Sequence, residues 1–132
     1  MSEERKSLVN QYIAAGDPRI SEGCVEKLAH SADPLVRRRI AENPSTPLAI
    51  LLELLNDDND DVRLGVSFNP LVQRPLLDEL IHDNSADVRY GLAENPTLPL
   101  DLIDVLAHDE NPYVAQRAKK TFNRLRSISW AA

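Results

Sequence analysis

A single cysteine, Cys24, excludes an internal disulfide, and one thiol cannot by itself build a zinc or iron–sulfur centre. Such a lone thiol reads as a small buried hydrophobe. Glycine is scarce, at four residues, and none of them forms a Gly-rich phosphate loop. Aromatic residues make up 5% of the chain, so any core must be built from Leu, Val, Ile and Ala. No apolar run approaches the ~20 residues of a membrane span. The first residues, "MSEERKSLVN", carry mixed charge and no apolar signal core. These absences favour a cytoplasmic protein with no membrane partner. The net charge of −6 argues against a general nucleic-acid binder, which needs Lys and Arg to neutralise phosphates.

What the chain does contain is a phrase written several times. "VRRRIAENPSTP" begins at Val36, "VRLGVSFNPLVQ" at Val62 and "VRYGLAENPTLP" at Val88. Val36, Val62, Val88 and Val114 stand 26 residues apart, followed in register by Ile40, Val66, Leu92 and Ala118. The pair Asn-Pro recurs at Asn43, Asn69 and Asn95, with Asp17-Pro18 one period earlier. A fixed period of this length marks a stack of supersecondary units.

Each period contains two helical patterns. In helix A, Val25, Leu51, Leu77 and Ile103 share one register, Leu28, Leu54, Leu80 and Leu106 a second, and Ala29, Leu55, Ile81 and Ala107 a third. These fall at i, i+3 and i+4, one face of an α-helix. The clearest copy spans about 47–56, with Pro47 in its first turn and Ser45 or Thr46 able to cap it, as Thr97 can cap a later one. Helix B follows Asp33, Asn59, Ser85 or Asn111, all capping residues, with Pro34 and Pro112 at the next position. Asn-Pro then ends helix B, because the residue before proline is pushed out of the α region.

The ends read as caps. The first helix is expected to turn Leu8, Val9, Tyr12 and Ile13 inward and to stop at Gly16. At the other end Thr121-Phe122 replaces Asn-Pro, so helix B runs on with Val114, Ala118, Phe122 and Leu125 inward. The tail "SISWAA" is expected to be loose, with Trp130 able to fold back.

The unit "NPSTPLAILLELLNDDNDDVRLGV" resembles the leucine-rich repeat variant, a bacterial relative of HEAT repeats with the pattern N-P-x-x-P, L-x-x-L, D-x-x-V-R. The resemblance covers roughly 17–118. It implies an all-α fold: a right-handed α-solenoid of about four to five 26-residue two-helix repeats, whose second helix can be partly 3₁₀. Residues 1–16 would be the N-terminal capping helix, then 17–42, 43–68, 69–94 and 95–120 the repeats, 112–126 an extended C-terminal helix and 127–132 the tail. The founding member of the variant repeats carries a cysteine cluster for an iron–sulfur centre. With Cys24 alone, this chain is expected to hold no such cofactor. In HEAT-like proteins Asp and Arg form a ladder, which implies pairs of Arg37, Arg63 and Arg89 with Asp57, Asp83 and Asp109. Those aspartates also fall at the C-terminal end of helix A, where the helix dipole disfavours negative charge and an arginine would offset it.

Metal and catalytic readings are weak. His30, His82 and His108 occupy one repeat position, with Asn56 in the second slot. Stacked helices would hold them ~10 Å apart, too far for one metal. They read instead as side chains meeting free carbonyls near a helix end. The run "NDDNDD" at 56–61 lacks the glycine and closing glutamate of an EF-hand loop. There is no nucleophile elbow, and no Ser, Cys or Lys has a base beside it in a motif. The expectation is a protein that is not an enzyme.

Function is then sought where copies differ. Opposite the core face of helix B, one row reads Arg38, Leu64, Tyr90 and a second Glu42, Phe68, Glu94. Leu64, Phe68 and Tyr90, rimmed by Arg38, Arg39, Glu42 and Glu94, read as a contact site for a protein or peptide; alternatively they fill the inside of a tightly curled stack. From Tyr113 onward there are five basic residues, Arg117, Lys119, Lys120, Arg124 and Arg126, and no acidic one, which leaves −11 on the rest. A nucleic-acid-binding module using that basic helix is the alternative function, and an accessory factor or enzyme with an unrecognised site is a third. Weak head-to-tail self-association of the basic end with the acidic body is a further option.

Overall fold

Helices of seven to nine residues cannot persist alone in water, so their sequence must supply stops, caps and a buried face. The computed structural model describes residues 2–131, with side chains through 128. Among the described residues there are nine α-helices and no strand. They are α1 (Glu3–Ala15), α2 (Glu22–Ala29), α3 (Pro34–Glu42), α4 (Leu48–Leu54), α5 (Asp60–Ser67), α6 (Arg74–Leu80), α7 (Ala86–Ala93), α8 (Leu100–Leu106) and α9 (Pro112–Ala131). The chain divides into two compact units, Met1–Leu76 and Leu77–Ala132, and α6 straddles the division.

Local chemistry sets the helix starts. Asp33 accepts from the Leu35 N–H at 2.9 Å, and Asn59 accepts from Asp61 and Val62 at 2.9 and 3.2 Å. Asn111 does the same for Tyr113 and Val114 at 2.9 and 3.3 Å. Each bond satisfies an orphan donor of the first turn. Helix B is α-helical throughout, at nine residues in α3 and eight in α5 and α7. Its end in the first unit is extended at Asn43 (ψ 126°), as a residue before proline must be.

In the first unit α3 packs against α1, α2, α4 and α5, and α2 also touches α4. In the second, α7, α8 and α9 pack against one another. Helices one period apart are thus neighbours within each unit: α1 with α3, α3 with α5, α2 with α4, α7 with α9. The apolar registers of both helix patterns are buried, from Val25, Leu28 and Ala29 to Val114 and Ala118. Ile50, Leu76, Leu98 and Leu102 add to them.

The polar joints are as regular as the core. Asn43 is 3% exposed, and its amide Nδ2 donates to the carbonyls of Ala15 and Asp17 at 2.8 and 2.9 Å. Its Oδ1 accepts from the Ser45 N–H at 2.9 Å. Asn69, 2% exposed, repeats every bond: Nδ2 to the carbonyls of Ala41 (2.9 Å) and Asn43 (2.8 Å), Oδ1 from the Leu71 N–H (2.9 Å). Asn95 again turns its Oδ1 to the N–H two residues on, at Thr97. Thr121, which stands where the next asparagine would, keeps one of these bonds. Its hydroxyl donates to the Ala93 carbonyl at 2.6 Å, the same 28-residue reach as Asn43 to Ala15 and Asn69 to Ala41. Asp17 keeps only the acceptor half, taking the Arg19 N–H at 2.9 Å. That bond holds its carboxyl below the ordinary range.

Several expectations are corrected. Leu8, Val9, Tyr12 and Ile13 do not face inward: all four are exposed, Ile13 by 63%, and Ala15 is the buried residue of α1. Within its unit α1 packs chiefly against α2 and α3, which leave these four side chains exposed even though Tyr12 still reaches Arg39 on α3. Gly16 does end α1, as expected, and does so with a right-handed φ of −90°; a Cβ there would meet the end of the Arg39 side chain. Ser45, Thr46 and Thr97 do not cap helix A. Their hydroxyls go to the carbonyls of Pro18 and Ile40 and to Asn95 Oδ1, and Pro47 and Pro99 take the N-cap positions. Cys24 is exposed, in an open groove of about 820 Å³ between α1 and α2. Phe122 and Leu125 are half-buried, not core. Residues 127–131 are no separate tail but continue α9. The Trp130 side chain lies outside the described residues.

Because Asn69 serves three backbone groups in a buried place, its removal strips the Ala41 carbonyl and the Leu71 N–H of that partner and leaves the Asn43 carbonyl with the Thr46 N–H alone. Asn69→Ala should cost about 3 kcal/mol in urea unfolding. Asn69→Asp should cost at least as much at neutral pH, since a carboxylate would face two carbonyl oxygens. Compared with wild type at each pH, that deficit should shrink on acidification, when a protonated carboxyl can donate once. A cost under about 1 kcal/mol for Asn69→Ala would mean that the joint does not matter.

Candidate functional site

An arginine that meets a carboxylate with two parallel N–H groups gains both charge and geometry. Arg37 donates from Nε to Asp57 Oδ2 at 2.8 Å and from Nη2 to Oδ1 at 3.1 Å, while Nη1 bonds the Ser31 carbonyl at 2.8 Å. The side chains are only 18% and 10% exposed. Asp57 is aimed by its own turn, taking the Asn59 N–H at 2.9 Å. The hydrogen bonds that Asp57 accepts raise the pKa of Arg37 above its already high ordinary value, so the guanidinium stays charged. In the second unit Arg89 meets Asp109 in the same way, at 2.8 and 3.4 Å, and its Nη1 bonds the Asp83 carbonyl. Asp109 and Asp83 accept from Asn111 and Ser85 N–H groups at 2.8 and 2.9 Å. Arg63 belongs to the first unit and Asp83 to the second; Arg63 Nη1 bonds the Asp57 carbonyl at 2.7 Å.

A further rung carries no charge. Ser31 donates to Gln11 Oε1 at 3.0 Å across the same 20 residues that separate Arg37 from Asp57. Gln11 and Ser31 stand one period before Arg37 and Asp57. Both members of the rung are therefore exchanged together. The period itself was the signal for this pair, since it aligns Gln11 with Arg37.

Two of the histidines bond their own helices, and His30 Nε2 also lies 3.3 Å from Glu53 Oε2 on α4. His30 Nδ1 bonds the Glu26 carbonyl at 2.8 Å and His108 Nδ1 the Asp104 carbonyl at 2.9 Å. Asn56, in the intervening slot, bonds the Leu52 carbonyl at 3.3 Å. All reach four residues back to a late carbonyl of their own helix, an acceptor that the helix end leaves free.

Of the contact residues expected from sequence, five lie in the first unit, and four of them, Arg38, Glu42, Leu64 and Phe68, fall on the α3–α5 side. Arg38 donates from Nε to Glu42 Oε1 at 2.8 Å, approaches Asp61 at 3.8 Å and lies 5.9 Å above the Phe68 ring. That last distance is within cation–π range. Phe68 is 42% exposed and caps α5, and Leu64 one turn earlier is half-buried. Gly65 matters here, because a Cβ would come within 3.0 Å of Arg38 Cγ. Arg39 faces the other way: its guanidinium lies 4.2 Å over the Tyr12 ring, and Nη1 donates to the Tyr12 hydroxyl at 2.8 Å. Its Nε is buried with no acceptor. Tyr90 and Glu94 are exposed in the second unit.

Sequence reasoning missed Tyr12 as the partner of Arg39, and the exposed pair Leu48 and Leu52 on α4. "LAILLELL" has more apolar residues than one buried face can use, which was the available sign. Among the described residues no group of three or more His, Cys, Asp or Glu could hold a metal ion. No helix among them is long and apolar enough to cross a membrane.

Such a chain belongs to the all-helical class, with many of its polar side chains committed to joints between helices. No protein-family model, curated protein or solved structure matches it.

The neutral rung suggests a direct experiment on the charged one. Asp57→Ser alone strands the Arg37 guanidinium in a partly buried place and should cost about 2–3 kcal/mol. Arg37→Gln with Asp57→Ser rebuilds the Gln11–Ser31 chemistry. The double variant should be more stable than the sum of the single losses by about 1–2 kcal/mol in thermal or urea unfolding. Strict additivity would show that the two residues do not act as a pair.

Proposed function

We propose that this chain is a right-handed α-solenoid of HEAT-like, leucine-rich-repeat-variant units, working as a non-catalytic protein-interaction module. The observation that carries the reading is the recurrence of one bonding pattern at 26-residue intervals, in Asn43 and Asn69 and again in Arg37 and Arg89, beside exposed positions that do not recur. A scaffold whose repeated letters make joints leaves its variable letters to recognise something.

The contact surface proposed is the set in the first unit, Arg38, Glu42, Leu64 and Phe68; Arg39 turns away to Tyr12, and the surface does not depend on Tyr90 or Glu94. Phe68 offers an exposed ring, and Arg38 over that ring is held in place by Glu42. An aromatic and an arginine pre-set in one geometry lose little entropy on binding, and both residue types dominate interface energetics. The partner is a protein or peptide with an apolar side chain to set on Phe68 and an acidic group for Arg38.

Phe68→Asp tests this. The ring is partly in water, so the variant should keep its helical circular dichroism and melt within about 3 °C of wild type. Proteins that co-purify with the wild-type chain at moderate salt should be lost. If the folded variant retains every one of them, the surface lies elsewhere.

A further inference from the structure

We infer that the last turns of α9 dock on an anionic lipid surface. This goes beyond the protein-binding reading and uses a different part of the molecule. In α9, Val114, Ala118 and Thr121 are buried, and no described residue after Thr121 is. The helix nevertheless continues to Ala131. Leu125 follows Thr121 by four residues and Ile128 follows Leu125 by three, so the core-facing strip runs on past the last buried residue described. Leu125 is half-buried, and Ile128 is 57% exposed.

Cations border that strip. Arg117, Lys120 and Arg124 fall at i, i+3 and i+7 along one flank, and Lys119 and Arg126 seven residues apart on the other. The four from Lys119 to Arg126 are exposed, and from Tyr113 onward the chain contains no acidic residue. An apolar strip between two basic flanks fits the headgroup boundary of an anionic bilayer, which accepts both at once. Nucleic acid would use the cations and leave Ile128 in water. The overall charge of −6 is no obstacle, because salt at 0.1 M screens distant charges beyond about 10 Å.

The test uses the full chain with vesicles of phosphatidylcholine alone or mixed equally with phosphatidylglycerol. The single tryptophan, Trp130, serves as the fluorescent reporter. Binding should be at least about tenfold tighter to the anionic vesicles, should weaken as salt rises and should shift the emission to the blue. Arg124→Glu with Arg126→Glu should weaken it by about tenfold or more. Ile128→Asp should also weaken it severalfold with little change in melting temperature, since the side chain is mostly exposed. Equal affinity for both vesicles, or no binding at low salt, would overturn the proposal. So would binding to duplex DNA that the paired glutamates abolish and Ile128→Asp leaves intact, which would mark a phosphate-contact surface.

Discussion

A buried primary amide has two hydrogens to give and one oxygen with which to take, and in Asn43 and Asn69 all three are engaged. The donors go to carbonyls one period back and the acceptor to the N–H two residues ahead. No other side chain of this size offers that set: aspartate has no donor, threonine one, and glutamine is a methylene too long. The rest of the first unit depends on this fit. Helices this short need neighbours, and the amide sets where the turn after helix B lies against the turn before it. Each guanidinium, of Arg37 in the first unit and of Arg89 in the second, ties a carbonyl six residues back to a carboxylate 20 residues ahead.

Much of this was legible in the sequence, and what was not follows a pattern. Periodicity located the core residues, from Val36 and Ile40 to Ile103 and Leu106, because burial recurs with the repeat. It located the Asp33, Asn59 and Asn111 caps for the same reason. Asn-Pro read as a stop signal, which is half of its role. The stop is local and visible in two letters, whereas the reach of the amide to Ala15 or Ala41 is a tertiary fact. The ends defeated the periodic reading. Leu8, Val9, Tyr12 and Ile13 look like a core face, but the neighbours of α1 leave them exposed. Gly16 read as a stop and is one, but that it lies beneath the Arg39 guanidinium was not visible in the sequence.

The candidate contact site was legible only as a list. Position in the repeat identified Arg38 and Phe68 as unusual, but not that one stands above the other with Glu42 as its brace. Nor did it separate Arg38, which leans toward α5, from Arg39, which turns to Tyr12 on α1. Adjacent letters on a short helix point about 100° apart, so two neighbouring arginines serve two different neighbours. Rows of equivalent positions describe what the copies share and lose such divergence.

The bonds between helices described above reach from 20 to 28 residues along the chain. A duplicated stretch of 26 residues would therefore inherit both halves of its own fastening. The amide of one copy would find in the next the same carbonyl that it left in the first, and the guanidinium the same carboxylate. Lengthening such a molecule requires no new recognition between its parts. The paired exchange at Gln11 and Ser31 shows the complementary freedom, since a rung can drift in chemistry so long as both of its members drift together.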